Sequence, residues 1–260
     1  MKKNEKLKKI IAIWGKISEY LPPDEYFART KTRSCELISQ FIEQIPSGNS
    51  PILEIGSYTG YNVIVLKELG YQIHAIDLPE VVAKASIKKN YDRYHIPFNP
   101  YRVSKEEKIP YPDGFFSAIL LIEVLEHLTV NPIYLLSEIK RVLKPGGKIL
   151  LTTPNQLRLR GRIKVFFGKS MNDDPARFVQ SFQKQGDTDD SGYHWKLYTA
   201  KEIKVLSSAT GLLLNNMSYR WVSCPAPHNF MEKIFRVLER TMGIFFPSCR
   251  DWLIFWLQKK

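Results

Sequence analysis

At 260 residues, 44% hydrophobic and 25% charged, the chain has an ordinary globular composition. It can bury a sizeable core without disulfides or metal staples, and one large α/β domain fits its length better than two small ones. The 38 Lys and Arg against 26 Asp and Glu give a formal charge of +12, which favours an anionic partner (nucleic acid, membrane surface or phosphate-bearing substrate) unless it reflects a generally basic proteome.

Cys35, Cys224 and Cys249 are far apart and form no CxxC pair, which argues against a zinc site or a disulfide framework and suits a reducing cytosol. The N-terminal "MKKNEKLKKIIAIWGKI" has a basic head, but Trp14, Gly15 and Lys16 interrupt its short apolar stretch, so it reads poorly as a signal peptide. No apolar run approaches the roughly 18 residues needed to span a bilayer. The expectation is a soluble, cytoplasmic protein with at most a surface attachment.

Helical apolar spacing runs through residues 5–20 (Ile10, Ile13, Ile17) and 31–45 (Leu37, Ile38, Phe41, Ile45). The prolines of "LPPDEYF" break between them, and "IPSGNSP" is a turn cluster. Residues 1–47 are therefore expected to form a helical cap on a domain spanning 48–260. From Ile52 the pattern becomes short buried strands alternating with helices. "PILEIG" is a strand, "YNVIVLKELG" a helix stopped by Gly70, "YQIHAID" a strand, and "PEVVAKASIKKN" a helix opened by Pro79. "FNPYRVS" and "FFSAILLI" are the third and fourth strands, "NPIYLLSEIKRVLKPGG" is a helix with its stop, and "KILLTTPN" is the fifth strand. This alternation argues for a parallel sheet with helices on both faces.

Residues 155–195 lose the rhythm and read as an insertion or lid. A basic run (Arg158, Arg160, Arg162, Lys164, Lys169) precedes an acidic stretch, "GDTDDSGYH". Order resumes with the helix "TAKEIKVLSSATG", the strand "LLLNNMSYRWV", an amphipathic helix around "HNFMEKIFRVLERTM" and a last strand, "DWLIFWLQ".

In a doubly wound sheet the ligand lies beyond the carboxyl ends of the strands, so the first strand-to-helix turn is the place to look. Gly56 and Gly60 allow close backbone approach, the next helix offers free N–H groups, and Asp77 ends the second strand with two acceptor oxygens for a ribose. The loop spacing is GxxxG rather than the GxGxxG of nicotinamide enzymes. "LEIGSYTG", "AIDLPE", "IPYPDGFFSAILLIEVLEHL" and "EIKRVLKPGGKILLTTPN" together resemble, in order and spacing, the motifs of class I S-adenosylmethionine-dependent methyltransferases. The resemblance is close over about residues 50–155 and weaker over "HWKLYTAKEIKVLSSATG", which is similar to a segment of polysaccharide- and small-molecule-pathway members. It implies a Rossmann-like α/β fold: a seven-stranded, mostly parallel sheet, the last strand antiparallel, with helices on both faces.

The resemblance also implies S-adenosyl-L-methionine as cofactor. Glu54, Gly56, Ser57, Tyr58 and Gly60 would form the methionine side, and Asp77 would hold the ribose with Leu78 beside it. Glu123 would line the sulfonium side. Against this, Gly60 and Leu78 can serve packing alone, and Glu123 can be a helix-start acid. Three positions depart from the family pattern: Tyr58 replaces the middle glycine, Ser117 replaces a fourth-strand aspartate, and Lys105 stands where an acid would receive the adenine. Ser104 and Glu106 are neighbours able to substitute for that acid.

Methyl transfer to a hydroxyl profits from in-line alignment and a general base. His127 is the first candidate base and His194 the runner-up; equally, His127 can be a helix-start histidine bonded to backbone and His194 a fastener of the insertion. Asp187, Asp189 and Asp190 read as a solvated turn, so no metal site is expected. The expected activity is O-methylation of a small-molecule, sugar or lipid-linked glycan acceptor. The basic insertion would meet phosphate, a membrane surface or only water, and Tyr26, Arg29 and the insertion would close over the acceptor. An RNA methyltransferase and a non-catalytic S-adenosylmethionine-binding relative are the alternatives; no nucleic-acid module supports the former.

Overall fold

The computed structural model describes residues 3–21, 25–48, 50–171, 193–221 and 230–260, together with 176 and 179. Seven strands form one sheet in the order β3-β2-β1-β4-β5-β7-β6. They are β1 (Ile52–Ile55), β2 (Ile73–Asp77), β3 (Phe98–Pro100), β4 (Phe116–Ile122), β5 (Leu143–Pro154), β6 (Leu212–Arg220) and β7 (Trp252–Lys259). The first five pair in parallel. β7 slots between β5 and β6 and runs antiparallel to both, as the resemblance implies.

Alternation along the strands sends side chains to two separate cores. On one face Ile52, Ala118, Leu120, Leu150, Trp252 and Trp256 join residues of α1 (Lys3–Ser18), α2 (Glu25–Gln44), α3 (Tyr61–Glu68) and α5 (Ala85–Arg93). On the other, Leu53, Ile119, Leu121, Ile149 and Phe255 meet α6 (Pro132–Val142) and α8 (Ala200–Ala209). The N-terminal helices thus contribute directly to one core: Trp14 of α1 is 2% exposed and stacks on Tyr61 of α3 at 4.8 Å.

Several boundaries differ from the sequence reading. α2 already starts at Glu25, because the sequence past Pro23 offers nothing to oppose a helix. "PEVVAKASIKKN" is two pieces, α4 (Pro79–Val82) and α5, separated where Lys84 turns extended. β3 shrinks to three residues. "LKPGG" belongs to the start of β5 rather than to the preceding helix. α8 opens with a full capping box between Thr199 and Glu202, the pattern that fixes a helix start by satisfying two free donors reciprocally. The insertion contributes α7 (Leu159–Phe166), and α9 (Phe230–Phe245) precedes the last strand. No helix among the described residues is long and apolar enough to cross a membrane.

Replacing Trp14 by Ala removes a buried aromatic from between α1 and α3. It is expected to lower unfolding free energy by about 3–5 kcal/mol in urea titrations. A loss under about 1 kcal/mol would mean that α1 does not belong to the folded core.

Candidate active site

Parallel order reverses between β1 and β4, because the chain leaves β1 for β2 on one side and returns from β3 to β4 on the other. That reversal opens the crevice in which such sheets bind ligands. Glu54 near the end of β1, Asp77 at the end of β2 and Glu123 just after β4 all lie along it.

The loop after β1 alternates through left-handed backbone: Gly56 has φ 71°, Tyr58 φ 46° and Gly60 φ 87°. A non-glycine residue there costs about 1–2 kcal/mol, and the surrounding bonds hold it. Tyr58 N–H donates to Asp77 Oδ2 at 2.6 Å. The Tyr58 carbonyl lies 2.9 Å from the Tyr91 hydroxyl, which is also 2.8 Å from Ser57 Oγ. A phenol carries one proton and a carbonyl can only accept, so Tyr91 donates to Tyr58 and receives the serine proton. Tyr91 is fully buried against Phe98, their rings 3.7 Å apart. The Tyr58 side chain packs against the core that holds the N-terminal helices.

Both glycines are also required sterically. A Cβ at Gly56 would lie 2.6 Å from Val124 Cγ2, and one at Gly60 would lie 3.0 Å from the Tyr91 ring. The first contact shows that the β1 loop and the segment after β4 touch. Tyr91 and Val124 were invisible to sequence reasoning, since an aromatic on an amphipathic helix and a valine in an apolar run carry no signal of their own.

Glu54 is buried, and its Oε1 accepts from Asn62 Nδ2 at 2.8 Å. Its Oε2 is buried with no partner. Burial pushes the Glu54 carboxyl up to about 8, with Asn62 opposing and the Asp77 charge adding to the shift. Asp77 takes two backbone donors, Tyr58 N–H on Oδ2 and Leu78 N–H on Oδ1 at 2.8 Å. A carboxylate with backbone donors on both oxygens is held in its charged, accepting form, the form a ligand hydroxyl would meet. Ser104 uses its oxygen to accept Glu107 N–H at 2.9 Å in a turn, with Lys105 exposed beside it. Ser117 N–H and Oγ both reach the Pro51 carbonyl, anchoring the start of β1.

Beyond β4 the chain carries three ionisable side chains in five residues. Glu123 is itself left-handed, φ 55°. Its carboxylate meets Arg33 of α2 at 3.4 Å, Thr152 Oγ1 at 3.3 Å and the Trp252 indole N–H, while the Arg33 guanidinium lies 4.5 Å from the Trp252 ring centre. Arg33 was not singled out from sequence. Tyr26 and Arg29, the helix residues expected near the acceptor, have side chains outside the described residues, as do Asp187, Asp189 and Asp190.

Glu126 is fully buried and accepts Thr153 Oγ1 at 3.0 Å. Burial and the nearby Glu123 charge push its carboxyl well above the usual range. The Glu126 carbonyl receives Trp195 N–H at 2.8 Å and Lys196 N–H at 3.3 Å, fastening the end of the insertion to this turn. His127 Nδ1 lies 2.9 Å from the Tyr193 carbonyl, and its ring faces that of His194 at 4.9 Å. The two candidate bases are therefore neighbours. A carbonyl cannot donate, so Nδ1 carries the hydrogen and the lone pair of neutral His127 sits on Nε2.

A family model described as a methyltransferase domain matches residues 26–215. The chain belongs to this methyltransferase family. A Mycolicibacterium smegmatis protein named a probable S-adenosylmethionine-dependent methyltransferase is 29% identical over 41% of this chain and 38% of its own length. A Xanthomonas oryzae pv. oryzae ubiquinone biosynthesis O-methyltransferase is 35% identical over 40% of this chain and 43% of its own. The match thus spans less than half the length of these relatives. Among solved structures, geranyl diphosphate C-methyltransferase from Streptomyces coelicolor A3(2), with Mg2+, geranyl diphosphate and S-adenosyl-L-homocysteine, aligns with a TM-score of 0.57 at 13% identity, covering 94% of this chain and 86% of that one. At that identity the likeness is one of fold. S-adenosylmethionine is the cofactor of the family, and the residues fit it: a buried acceptor without a partner at Glu54, two glycines with no room for a side chain, and a carboxylate at the end of β2.

Glu54 also sets a pH dependence. A carboxyl raised from 4.5 to about 8 binds a proton in the folded state that the unfolded chain has already lost. Stability therefore falls as pH rises across that window. Glu126, also raised, adds to the slope. Chemical denaturation between pH 5 and 8.5 is expected to show this fall, and E54Q to flatten it in part; an unchanged slope in E54Q would place Glu54 in a solvated setting.

Proposed function

We propose that the chain is an S-adenosylmethionine-dependent methyltransferase that methylates a hydroxyl of a small-molecule, sugar or lipid-linked glycan acceptor. The observation that carries it is the contact between the two halves of the crevice. Gly56 lies against Val124, which brings the loop after β1 beside the segment that carries Glu123 and His127.

In this reading Glu54 Oε2 receives the cofactor's amino group and Asp77 its ribose. Gly56, Ser57, Tyr58 and Gly60 present backbone, Leu78 is an apolar wall, and Ser104 stands at the adenine end. Glu123, tied to Arg33 and Trp252, braces the sulfonium side. The cofactor supplies a methyl group already activated on sulfur. With the cofactor bound, His127 Nε2 would accept the proton of the acceptor hydroxyl, freeing that oxygen to take the methyl group the cofactor supplies. Oxygen is favoured over nitrogen because a hydroxyl needs a base and the His127 tautomer provides one. The name of the Xanthomonas relative, an O-methyltransferase, agrees.

A lipid-linked acceptor is supported by exposed aromatic residues in and beside α7 and α9. Phe166, Phe167, Phe230 and Phe245 are 69–84% exposed, with the exposed Lys169 and Lys233 nearby in the chain. Arg160 joins the two helices through Glu239 at 3.6 Å and the Phe235 ring at 5.1 Å. Exposed apolar and basic groups close together in the chain suit an anionic membrane surface. Arg158, Arg160 and Arg162 of the basic run bond to protein groups, which leaves the lysines to meet headgroups. Buried, unpaired Cys35 and Cys249 suit a reducing, cytoplasmic compartment.

Release of S-adenosylhomocysteine, assayed across phenolic, sugar, lipid-linked and RNA acceptors, tests the reading; turnover confined to RNA would overturn it. D77A is expected to weaken S-adenosylmethionine binding by roughly 10- to 100-fold in calorimetry, the loss of hydrogen bonds to a charged group; unchanged affinity would sink the ribose assignment. F166S/F167S is expected to reduce co-sedimentation with phosphatidylglycerol vesicles while leaving cofactor affinity alone. Equal sedimentation of variant and wild type would remove the membrane face.

A further inference from the structure

Glu126, His127 and His194 each place one ligand atom within 4.8 Å of the others. We infer that these three side chains bind one divalent first-row cation, on which an oxygen of the acceptor is held. The inference rests on the proposed site but adds a component that neither the sequence nor the family membership assigns.

The carboxylate comes first. Glu126 is 0% exposed; Thr153 satisfies Oε2, and Oε1 is buried with no hydrogen-bond partner. An orphaned buried acceptor costs about 1–3 kcal/mol, and a charged one more. A cation removes that cost where no side-chain donor is supplied.

The imidazoles are set for the same task. Nδ1 of His127 donates to the Tyr193 carbonyl at 2.9 Å, which puts the lone pair of the neutral ring on Nε2. Metal-bound histidines are usually oriented in this way, by a second hydrogen bond to a carbonyl or carboxylate. His194 follows Tyr193 directly, and the next two amides bond to the Glu126 carbonyl. One ligand-bearing segment is thus fastened to the other by backbone bonds, so the spacing does not depend on loose side chains.

Bond lengths of about 2.0–2.2 Å place donors of one ion roughly 3–4 Å apart; small rotations bring the three atoms to that spacing. Two imidazoles and a carboxylate suit Zn2+, Mn2+ or Fe2+, and three protein ligands leave a position open. Both histidines are half-buried rather than sealed, so the open position can receive an oxygen from outside. The cation's charge lowers the pKa of a hydroxyl bound to it. In the ion-bound site this replaces the general-base role that His127 has without the ion: the proton leaves to water, and the His127 lone pair serves as a ligand.

The test uses the full chain after treatment with a chelator. Titration with MnCl2, read by the loss of the free-ion electron paramagnetic resonance signal, and with ZnCl2 by calorimetry, is expected to show one ion per chain. H194A and E126Q are expected to weaken it by at least about tenfold. H194A replaces a half-buried residue and keeps the test open should E126Q fail to fold, with circular dichroism as the fold control. Folded wild-type protein that binds neither ion, or H194A that binds as tightly, would overturn the inference. Chelator-treated enzyme with undiminished S-adenosylhomocysteine release would overturn the role in holding the acceptor. Tight ion binding that H194A abolishes, without turnover on any hydroxyl acceptor, would uphold the cation site while refuting the O-methylation reading.

Discussion

The hydrogen bond from Tyr58 N–H to Asp77 Oδ2, 2.6 Å long, joins the loop after β1 to the end of β2 and sets the shape of the crevice. It forms only because Tyr58 is held left-handed, in backbone that glycine enters freely and tyrosine does not. The strain is balanced by the second bond on the same residue, from Tyr91 to the Tyr58 carbonyl. Tyr91 in turn needs Gly60 bare, since any side chain there would meet its ring. One loop, two neighbouring strands and α5 are therefore mutually dependent, and two backbone donors help to position the acid at the end of β2.

A second hub stands on the other side of the order reversal. Glu123 joins Arg33 of α2, Thr152 of β5 and Trp252 of β7. The charge sits just past β4, where the chain must turn left-handed to enter the short helical turn of Glu126 and His127. Two acids three residues apart would repel in so dry a setting. Arg33 compensates one of them, and the other retains an unsatisfied oxygen. The polar chemistry of the site thus concentrates in residues 123–127, with the N-terminal helices and the last strand as braces.

The sequence by itself determined the order of the seven strands and most of the helices, because buried strands and helix stops have local signatures: apolar runs, Gly70, Pro79. It likewise determined Glu54, Gly56, Gly60, Asp77 and the Glu123–His127 segment as site candidates, since motif spacing fixes which strand ends they occupy. Only the tertiary structure decided which of these residues meet. Tyr91 reaches Ser57 across 34 positions and Arg33 reaches Glu123 across 90, and no local pattern encodes contacts of that separation. The same holds for His127 and His194: each was legible as a candidate base, but their pairing depends on backbone bonds from residues 195 and 196 to Glu126. Periodicity reports which face a residue occupies; packing alone decides what it faces.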